Sequence, residues 1–271
     1  MSVGRATFGR LFTALGLMPA YFRIVEWRLS RTAPPPPPFD DAGVPIPPRL
    51  LITQVAGEPD WRGFLKNGAD NVASLFAFAR EAGVDLASAS RILDFGCGCG
   101  RVIRHLPQHT HAALYGVDYN RGLIRWCTRN LSGEFTRNRL HPPLDFPAGH
   151  FDAIYLLSVF THLRLPTQHE WLAEFVRVMR PGGAVLITFH DEDHPALASA
   201  PDARITLDRD GFLITNDDSE GSNLIAMFQS REAATALFSE YFDVVRIVTP
   251  QHNGLGQTLA ILQRRDEATP P

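Results

Sequence analysis

The sequence predicts an α/β protein built on a doubly wound, mostly parallel β-sheet. Short apolar runs typical of buried strands alternate with stretches of helical periodicity between about residue 50 and residue 265. A glycine-rich turn, "FGCGCGR" at 95–101, directly follows the first of these runs. Ligands bind such sheets beyond the carboxyl ends of the strands, so this turn is a candidate binding loop.

Three regions divide the 271-residue chain: a helical appendage at 1–33, a proline-rich linker at 34–49 and the main domain at 50–271. The first 31 residues carry five arginines and one acid, with apolar residues at helical spacing. This amphipathic appendage either packs on the main domain or lies on an anionic membrane surface. Pro19 and Arg23 argue against a secretory signal.

Within the main domain the pattern predicts seven strands, at 91–96, 113–118, 133–138, 151–158, 184–190, 242–249 and 257–264. The last two are joined by a short connection, so one of them should run antiparallel. Helices are expected after caps at Asp70, Asn120 and Ser230, after a Thr167–Glu170 capping box, and from residue 101.

Residues 191–229 show no strong periodicity, and we expect an irregular lid over the substrate. Trp61 and Phe64 either contribute to that cover or belong to the core.

Composition excludes several classes of protein. Lys and Arg number 26 against 29 Asp and Glu, so no global positive field favours nucleic acid. Lys66 is the one lysine, which argues against Schiff-base chemistry. Three cysteines, Cys97, Cys99 and Cys127, suit neither a disulfide framework nor a metal site, so we expect a cytoplasmic protein without bound metal.

The glycine loop is the strongest functional signal, although a simple tight turn would also use glycines. Its spacing is G-x-G-x-G, whereas the dinucleotide fingerprint is G-x-G-x-x-G. Asp94 would repel a pyrophosphate but attract an ammonium and a sulfonium. Asp118 is placed to bind both hydroxyls of a ribose, or else to cap the next helix, a role that Asn120 also suits. These residues together indicate a nucleoside that carries an amino acid.

Four segments, "ILDFGCGCGR", "LYGVDYN", "PPLDFPAGHFDAIYLLSVFTHL" and "EFVRVMRPGGAVLITFH", resemble successive motifs of class I S-adenosylmethionine-dependent methyltransferases. The resemblance implies the seven-stranded, Rossmann-like methyltransferase sheet with an antiparallel last strand, and S-adenosyl-L-methionine as cofactor. It also implies a set of cofactor-binding residues at the ends of the first four strands: Asp94, Gly96, Cys97, Gly98, Gly100, Asp118, Tyr119, Asn138, Ser158 and Val159.

By the same resemblance, residues 94–100 line the methionyl part of the cofactor and Asp118 binds its ribose. Tyr119 packs against the adenosine, and Asn138, where many members carry an acid, lies near the adenine edge. Ser158 and Val159 border the cofactor beneath the transferring methyl group.

The expected chemistry is in-line transfer of a methyl group to an oxygen, nitrogen or carbon of a small molecule. A base is needed only if the nucleophile arrives protonated. His162, beyond the fourth strand, and His190, at the end of the fifth, are the candidate bases, with Asp191 and His194 nearby. A purely structural role is the alternative for either histidine.

Sequence features after the fourth strand narrow the acceptor. The segment "SVFT" lacks the Asn/Asp-Pro-Pro-Tyr motif of nucleobase enzymes, and no glutamate pair is present to bind a guanidinium. Three other functions compete with methyl transfer: an inactive binding protein with the methyltransferase fold, an NAD(P)-dependent oxidoreductase and an aminopropyltransferase. The intact glycine loop argues against an inactive binding protein, and Asp94 argues against an oxidoreductase. The acids that an aminopropyltransferase needs to bind a polyamine are not apparent after the fourth strand.

Overall fold

The computed structural model describes residues 35–215, 220–221 and 225–266, together with Ile24, Trp27, Arg28 and Arg31. Most of the predicted appendage therefore lies outside the described residues, and the three-region division stays a prediction. No helix in the described ranges combines the length and apolarity that crossing a bilayer requires.

The proline-rich segment is docked on the main domain through residues 40–46. It runs extended, with one bridge between Phe39 and Pro45. The buried Arg104 guanidinium donates from Nη2 to Asp40 Oδ2 at 2.9 Å and to the carbonyl oxygen of Pro45 at 2.8 Å. These bonds fix where the chain enters the domain.

A seven-stranded sheet forms the centre of the molecule. Its strands are β1 (Arg91–Phe95), β2 (Ala113–Asp118), β3 (Glu134–Arg137), β4 (Phe151–Leu156), β5 (Met179–Phe189), β8 (Asp243–Val248) and β9 (Thr258–Gln263). They lie in the order β3-β2-β1-β4-β5-β9-β8. β9 pairs antiparallel with both β5 and β8, whereas the pairs among the first five strands are parallel. This topology confirms the predicted fold class and its antiparallel last strand.

The helices are α1 (Arg49–Ala56), α2 (Trp61–Glu81), α3 (Arg121–Asn130), α4 (Leu165–Val178), α5 (Pro195–Ala198), α6 (Pro201–Asp210), α7 (Arg231–Ser239) and α8 (Pro250–Asn253). Two 3-10 turns, Ile103–Gln108 and Phe160–His162, follow β1 and β4. The predicted caps Asn120 and Ser230 are confirmed, since their side chains accept from the backbone N–H groups of Gly122 and Ala233.

The prediction that Asp70 caps a helix is wrong. α2 begins nine residues earlier, at Trp61, and Asp60 accepts from the N–H of Arg62. The apolar face of α2 already includes Phe64, so the helical period starts before Asp70, which instead pairs with Lys66 on the exposed side.

Two further helix starts differ from the prediction. α4 begins at Leu165 with proline in its first turn, so Thr167 is buried inside the helix and forms no capping box. Glu170, the second residue of the predicted capping box, instead lies with its Oε2 2.7 Å from His141 Nδ1. The helix expected from residue 101 is a single 3-10 segment that contains Pro107, which has no N–H to continue an α-helix.

Residues 191–229 are more ordered than predicted, because they include α5, α6 and the antiparallel hairpin of β6 (Phe212–Thr215) and β7 (Ala226–Gln229). These elements are short, and Leu207 is the buried residue of α6, so the sequence carries little periodicity there.

Both faces of the sheet are covered. α4 and α7 pack on one face through Trp171, Phe175 and Phe238, while α2 packs on the other through Val72 and Leu75. With both faces buried, the carboxyl edge of the parallel strands is the surface left for a ligand. Phe64 is 1% exposed and packs with Ile52, which supports its alternative role in the core.

Candidate active site

The glycine loop lies at the carboxyl end of β1. Gly96, Gly98 and Gly100 have φ angles of +83°, +57° and +77°, in the left-handed region that favours glycine. A Cβ on Gly96 would lie 2.4 Å from Val159 Cγ2, and one on Gly98 would lie 2.8 Å from Val55 Cγ2. The loop therefore requires glycine for its backbone conformation and for the residues packed on it.

Cys97 shapes this loop rather than presenting its side chain at the edge of the sheet. Its thiol is buried beside Gly116, and its N–H donates to the carbonyl oxygen of Val117 at 3.0 Å. Cys97, Cys99 and Cys127 are all buried, free thiols.

Asp94 is a buried acid at the end of β1. Its side chain is 4% exposed, and burial raises its pKa to about 7. In the described part of the chain no basic side chain forms an ion pair with it, although the charge of Arg101 acts on it from a distance. A cationic ligand would supply the missing counter-charge.

Asp118 joins the glycine loop to the start of α3. Its Oδ2 accepts from the N–H of Gly98 at 3.0 Å, and its Oδ1 accepts from the N–H of Asn120 at 2.7 Å. Burial raises the pKa of Asp118. The side chain of Asn120 caps α3, so Asp118 is not needed as the cap. The two backbone N–H groups hold its carboxylate at the edge of the sheet, where two ribose hydroxyls could donate to it.

Tyr119 and Asn138 lie next to Asp118, at the ends of β2 and β3. The side chain of Tyr119 is 45% exposed, which leaves its ring available for stacking. The N–H of Asn138 donates to the carbonyl oxygen of Asp118, and its Nδ2 donates to that of Arg139. Its Oδ1 is buried without a hydrogen-bond partner among the described residues, and it could accept from an exocyclic amino group.

Ser158 and Val159 follow β4 directly. Ser158 has a φ of 60°, the one positive value among the described non-glycine residues, and its N–H donates to Thr188 Oγ1 at 2.8 Å. Val159 covers Gly96. Residues held in the left-handed region cost about 1–3 kcal/mol and cluster at functional sites.

A cavity of about 280 Å³ opens beside these residues, lined by Asn67, Asn71, Arg101, Leu157, Ser158, Thr188 and Gly254–Gly256. Arg101 Nη1 donates to the side-chain oxygen of Asn71 at 3.0 Å in the amide orientation that satisfies both groups. Burial lowers the pKa of Arg101, although the negative charge of Asp94 opposes this. The cavity thus places the Arg101 guanidinium beside the carboxyl ends of β4 and β5 and the start of β9.

The two candidate bases lie close enough to influence each other, because the charge of His162 lowers the pKa of His190. His162 Nδ1 lies 2.8 Å from the carbonyl oxygen of Ile225 and must donate to it, which leaves Nε2 with a lone pair. Burial lowers the pKa of His162, so its ring is neutral at pH 7. Burial, together with the charges of His194 and His162, lowers the pKa of His190 to about 3.

Asp191 and His194 serve the structure of the segment that follows β5. Asp191 is 1% exposed and accepts from Thr258 Oγ1 and from Arg231 Nη1. The side chain of His194 caps α5. These contacts anchor both ends of the segment 191–231.

Comparison with known proteins agrees with this geometry. Residues 92–183 match the family model of a methyltransferase domain. A phthiotriol/phenolphthiotriol dimycocerosates methyltransferase of Mycobacterium ulcerans is 39% identical over 146 residues, 52% of this chain and 49% of that protein. A fatty-acid O-methyltransferase of Mycolicibacterium smegmatis is 37% identical over 102 residues, 36% of each chain.

Solved structures share the fold. The 1,6-didemethyltoxoflavin-N1-methyltransferase of Burkholderia thailandensis, solved with S-adenosylhomocysteine, aligns with a TM-score of 0.55 at 17% identity, over 86% of this chain and 93% of that one. The chain contains a class I S-adenosylmethionine-dependent methyltransferase domain. It spans about half the length of the first curated relative and about a third of the second.

The residues of this methyltransferase domain fit S-adenosylmethionine, the family's cofactor. Asp94 would offer a buried carboxylate to the cationic methionyl end, and Asp118 would offer acceptors to the ribose. Asn138 Oδ1 has no hydrogen-bond partner among the described residues and would accept from the adenine amino group.

Sequence reasoning missed Arg101, Thr188 and Gln257. Arg101 follows the glycine motif directly, which is a signal that could have been used. Gln257 precedes β9, and because β9 is antiparallel its start lies at the carboxyl edge of the parallel strands. That signal requires the topology as well as the sequence.

Proposed function

We propose that the protein transfers the methyl group of S-adenosylmethionine to a small-molecule acceptor. The observation that carries this proposal is the buried carboxyl of Asp94 beside three left-handed glycines. Asp94 interacts with the Tyr155 hydroxyl but has no ion pair with a described residue, and such a carboxyl suits a cation and disfavours a pyrophosphate. The polar cavity beside Ser158 is the proposed place where methyl donor and acceptor meet.

The acceptor is proposed to be a small molecule, with lipids included in that class. The names of the two curated relatives refer to lipid substrates, a dimycocerosate and a fatty acid. We expect no nucleic-acid substrate, because the chain carries a net charge of −3.

His162 is the proposed general base when the acceptor is a protonated oxygen or nitrogen. The sulfonium of the cofactor supplies the electrophile, so the chain must orient the acceptor and accept its proton. The carbonyl oxygen of Ile225 fixes the ring of His162 so that Nε2 can take a proton, and burial keeps that nitrogen neutral. His190 remains the second candidate.

We also propose that the protein is cytoplasmic and that residues 1–31 contact membrane lipid. Trp27 and Ile24 are exposed and helical, and Arg31 stacks on the Trp27 ring. Exposed apolar side chains beside arginines are typical of interfacial helices.

Calorimetry with S-adenosylhomocysteine and with NADH tests the cofactor class first. We expect saturable binding of S-adenosylhomocysteine and none of NADH. Uptake of NADH alone would favour an oxidoreductase. Methyl-labelled S-adenosylmethionine is then incubated with fatty acids, phenols and a lipid extract, and label in the organic phase identifies the acceptor class. Binding without transfer to any acceptor would favour a binding protein.

The His162→Ala variant tests the base. With a hydroxyl acceptor, we expect turnover to fall about a hundredfold or more, and with an acceptor that has no proton to lose it should change little. A loss below threefold on the hydroxyl acceptor would remove His162 from proton transfer.

A further inference from the structure

A hydrogen-bonded chain includes Ser158 and Thr188, which line the cavity, and centres on Gln257, just before β9. Thr188 Oγ1 donates to Gln257 Oε1 at 2.7 Å. Gln257 Nε2 lies 2.5 Å from Ser158 Oγ and 3.1 Å from His190 Nε2. One amide thus joins the ends of β4 and β5 beside the proposed site of methyl transfer.

Each polar atom of this amide has a complementary partner in the structure. Thr188 Oγ1 accepts from the N–H of Ser158 and donates to Gln257 Oε1. The amide nitrogen then donates to Ser158 Oγ and to His190 Nε2. A neutral imidazole that accepts at Nε2 carries its proton on Nδ1.

The backbone of Gln257 is anchored on both sides. Asn253 Nδ2 donates to the carbonyl oxygen of Gln257 at 2.7 Å and to that of Val248 at 2.9 Å. The next residue, Thr258, donates to the buried Asp191. With its backbone anchored, the side-chain amide of Gln257 is held in place as a hydrogen-bond donor. A group that selects one tautomer of a histidine must be held in this way.

The two candidate bases differ as a result. The Nε2 lone pair of His190 is taken by the amide, and its Nδ1 is buried without a partner in the described part of the chain. His162 donates from Nδ1 to Ile225, and no hydrogen bond to its Nε2 involves a described residue. Of the two rings, His162 is the one whose accepting nitrogen stays available.

We propose that Gln257 is a positioning residue that holds His190 in its Nδ1–H form and fixes Ser158 in its left-handed conformation. Proton acceptance then belongs to His162. The assignment of roles rests on the function proposed above, whereas the tautomer of His190 is a property of the unliganded chain and can be measured without substrate.

Long-range ¹H–¹⁵N spectra of the full chain labelled with ¹⁵N-histidine test the proposal, with His190→Asn and His162→Asn variants for assignment. We expect Nδ1–H tautomers for both rings in the wild type. Gln257→Glu replaces the donor by a carboxylate that accepts, so His190 should change to the Nε2–H form while His162 keeps Nδ1–H. Gln263→Glu, at the far end of β9, is the matched control and should change neither ring.

An Nε2–H tautomer of His190 in the wild type, or an unchanged Nδ1–H form in Gln257→Glu, would overturn the proposal. If Gln257→Glu does not fold, Gln257→Leu provides the test: without the amide donor His190 should populate both tautomers, and a retained pure Nδ1–H form would count against Gln257. A chain with the expected tautomers that fails to bind S-adenosylhomocysteine would contradict the proposed function and leave this assignment intact.

Discussion

At the scale of single residues, the site is organised by buried charge. Asp94 lies in a position where its ionised form is disfavoured, and Arg101 lies in the cavity with an amide as its hydrogen-bond partner. Such groups lower the stability of the unliganded fold and raise its affinity for a ligand of matching charge. The two residues therefore give separable predictions.

Asp94→Asn should stabilise the unliganded protein and weaken S-adenosylhomocysteine binding. The native pKa of Asp94, about 7, is above the ordinary value of 3.8, so the native state binds more protons and the free energy of unfolding falls as pH rises between them. At pH 8 the variant should melt several degrees higher than the wild type. Differential scanning calorimetry at pH 5 and pH 8 measures this, and a variant less stable at pH 8 contradicts it.

The same shift predicts a pH dependence of binding. We propose that the ammonium group of the ligand binds the ionised carboxylate, so the affinity of the wild type for S-adenosylhomocysteine should rise from about pH 6 to about pH 8. An asparagine side chain cannot ionise, so titration calorimetry of Asp94→Asn should give a flat profile. A wild-type affinity that is constant over this range would exclude Asp94 as the partner of the ammonium group.

Arg101→Met should discriminate between two adenosyl-sulfur compounds. S-adenosylhomocysteine has a carboxylate and 5′-methylthioadenosine has none, and loss of a charged hydrogen bond costs about 10- to 100-fold in affinity. We expect this loss of affinity for S-adenosylhomocysteine and not for 5′-methylthioadenosine, measured by calorimetry. Arg101→Lys should retain part of the affinity. Equal binding of S-adenosylhomocysteine by wild type and Arg101→Met would assign the guanidinium to the acceptor.

At the scale of elements, the loop after β1 and the turn after β4 fit each other. Gly96 at positive φ meets Val159, whose neighbour Ser158 is itself left-handed and fixed by Thr188 and Gln257. The shape of one loop thus depends on the other, so the loops should respond to substitution as a pair.

Gly96→Ala should cost more stability than the same change at Gly83. Both glycines have a positive φ, which costs any other residue about 1 kcal/mol of backbone strain. A Cβ at Gly83 would have no atom within 4 Å, whereas a Cβ at Gly96 would lie 2.4 Å from Val159 Cγ2. Urea unfolding should show about 2 kcal/mol or more lost at Gly96. Adding Val159→Ala should recover part of that loss; strict additivity of the two substitutions would argue against the contact.

At the scale of the whole molecule, the chain enters the domain through a docked segment. Arg104 holds residues 40–46 against the domain through bonds to Asp40, Val44 and Pro45. Because these bonds lie after the amphipathic region in the chain, we expect the proposed membrane contact to be separable from the fold.

Deletion of residues 1–34 should abolish binding to vesicles that contain anionic phospholipid while the melting temperature changes little. Co-sedimentation at low and high salt measures the binding, which salt should weaken for the full chain. Binding that survives the deletion would place the membrane contact elsewhere. Absence of binding by the full chain would rule the contact out.

The sequence by itself determined the alternation of strands and helices, the antiparallel final pair, and the glycine loop with Asp94, because each depends on local periodicity or on the backbone freedom of a few neighbouring residues. It did not determine where α2 and α4 begin, because each helix has two local start signals: Asp60 and Asp70 for α2, and Pro166 and Thr167 for α4. Only the tertiary structure decided the partners of the histidines. Gln257 lies 67 residues from His190 and Ile225 lies 63 from His162, and hydrogen bonds across such separations exist only once the sheet brings strand ends together.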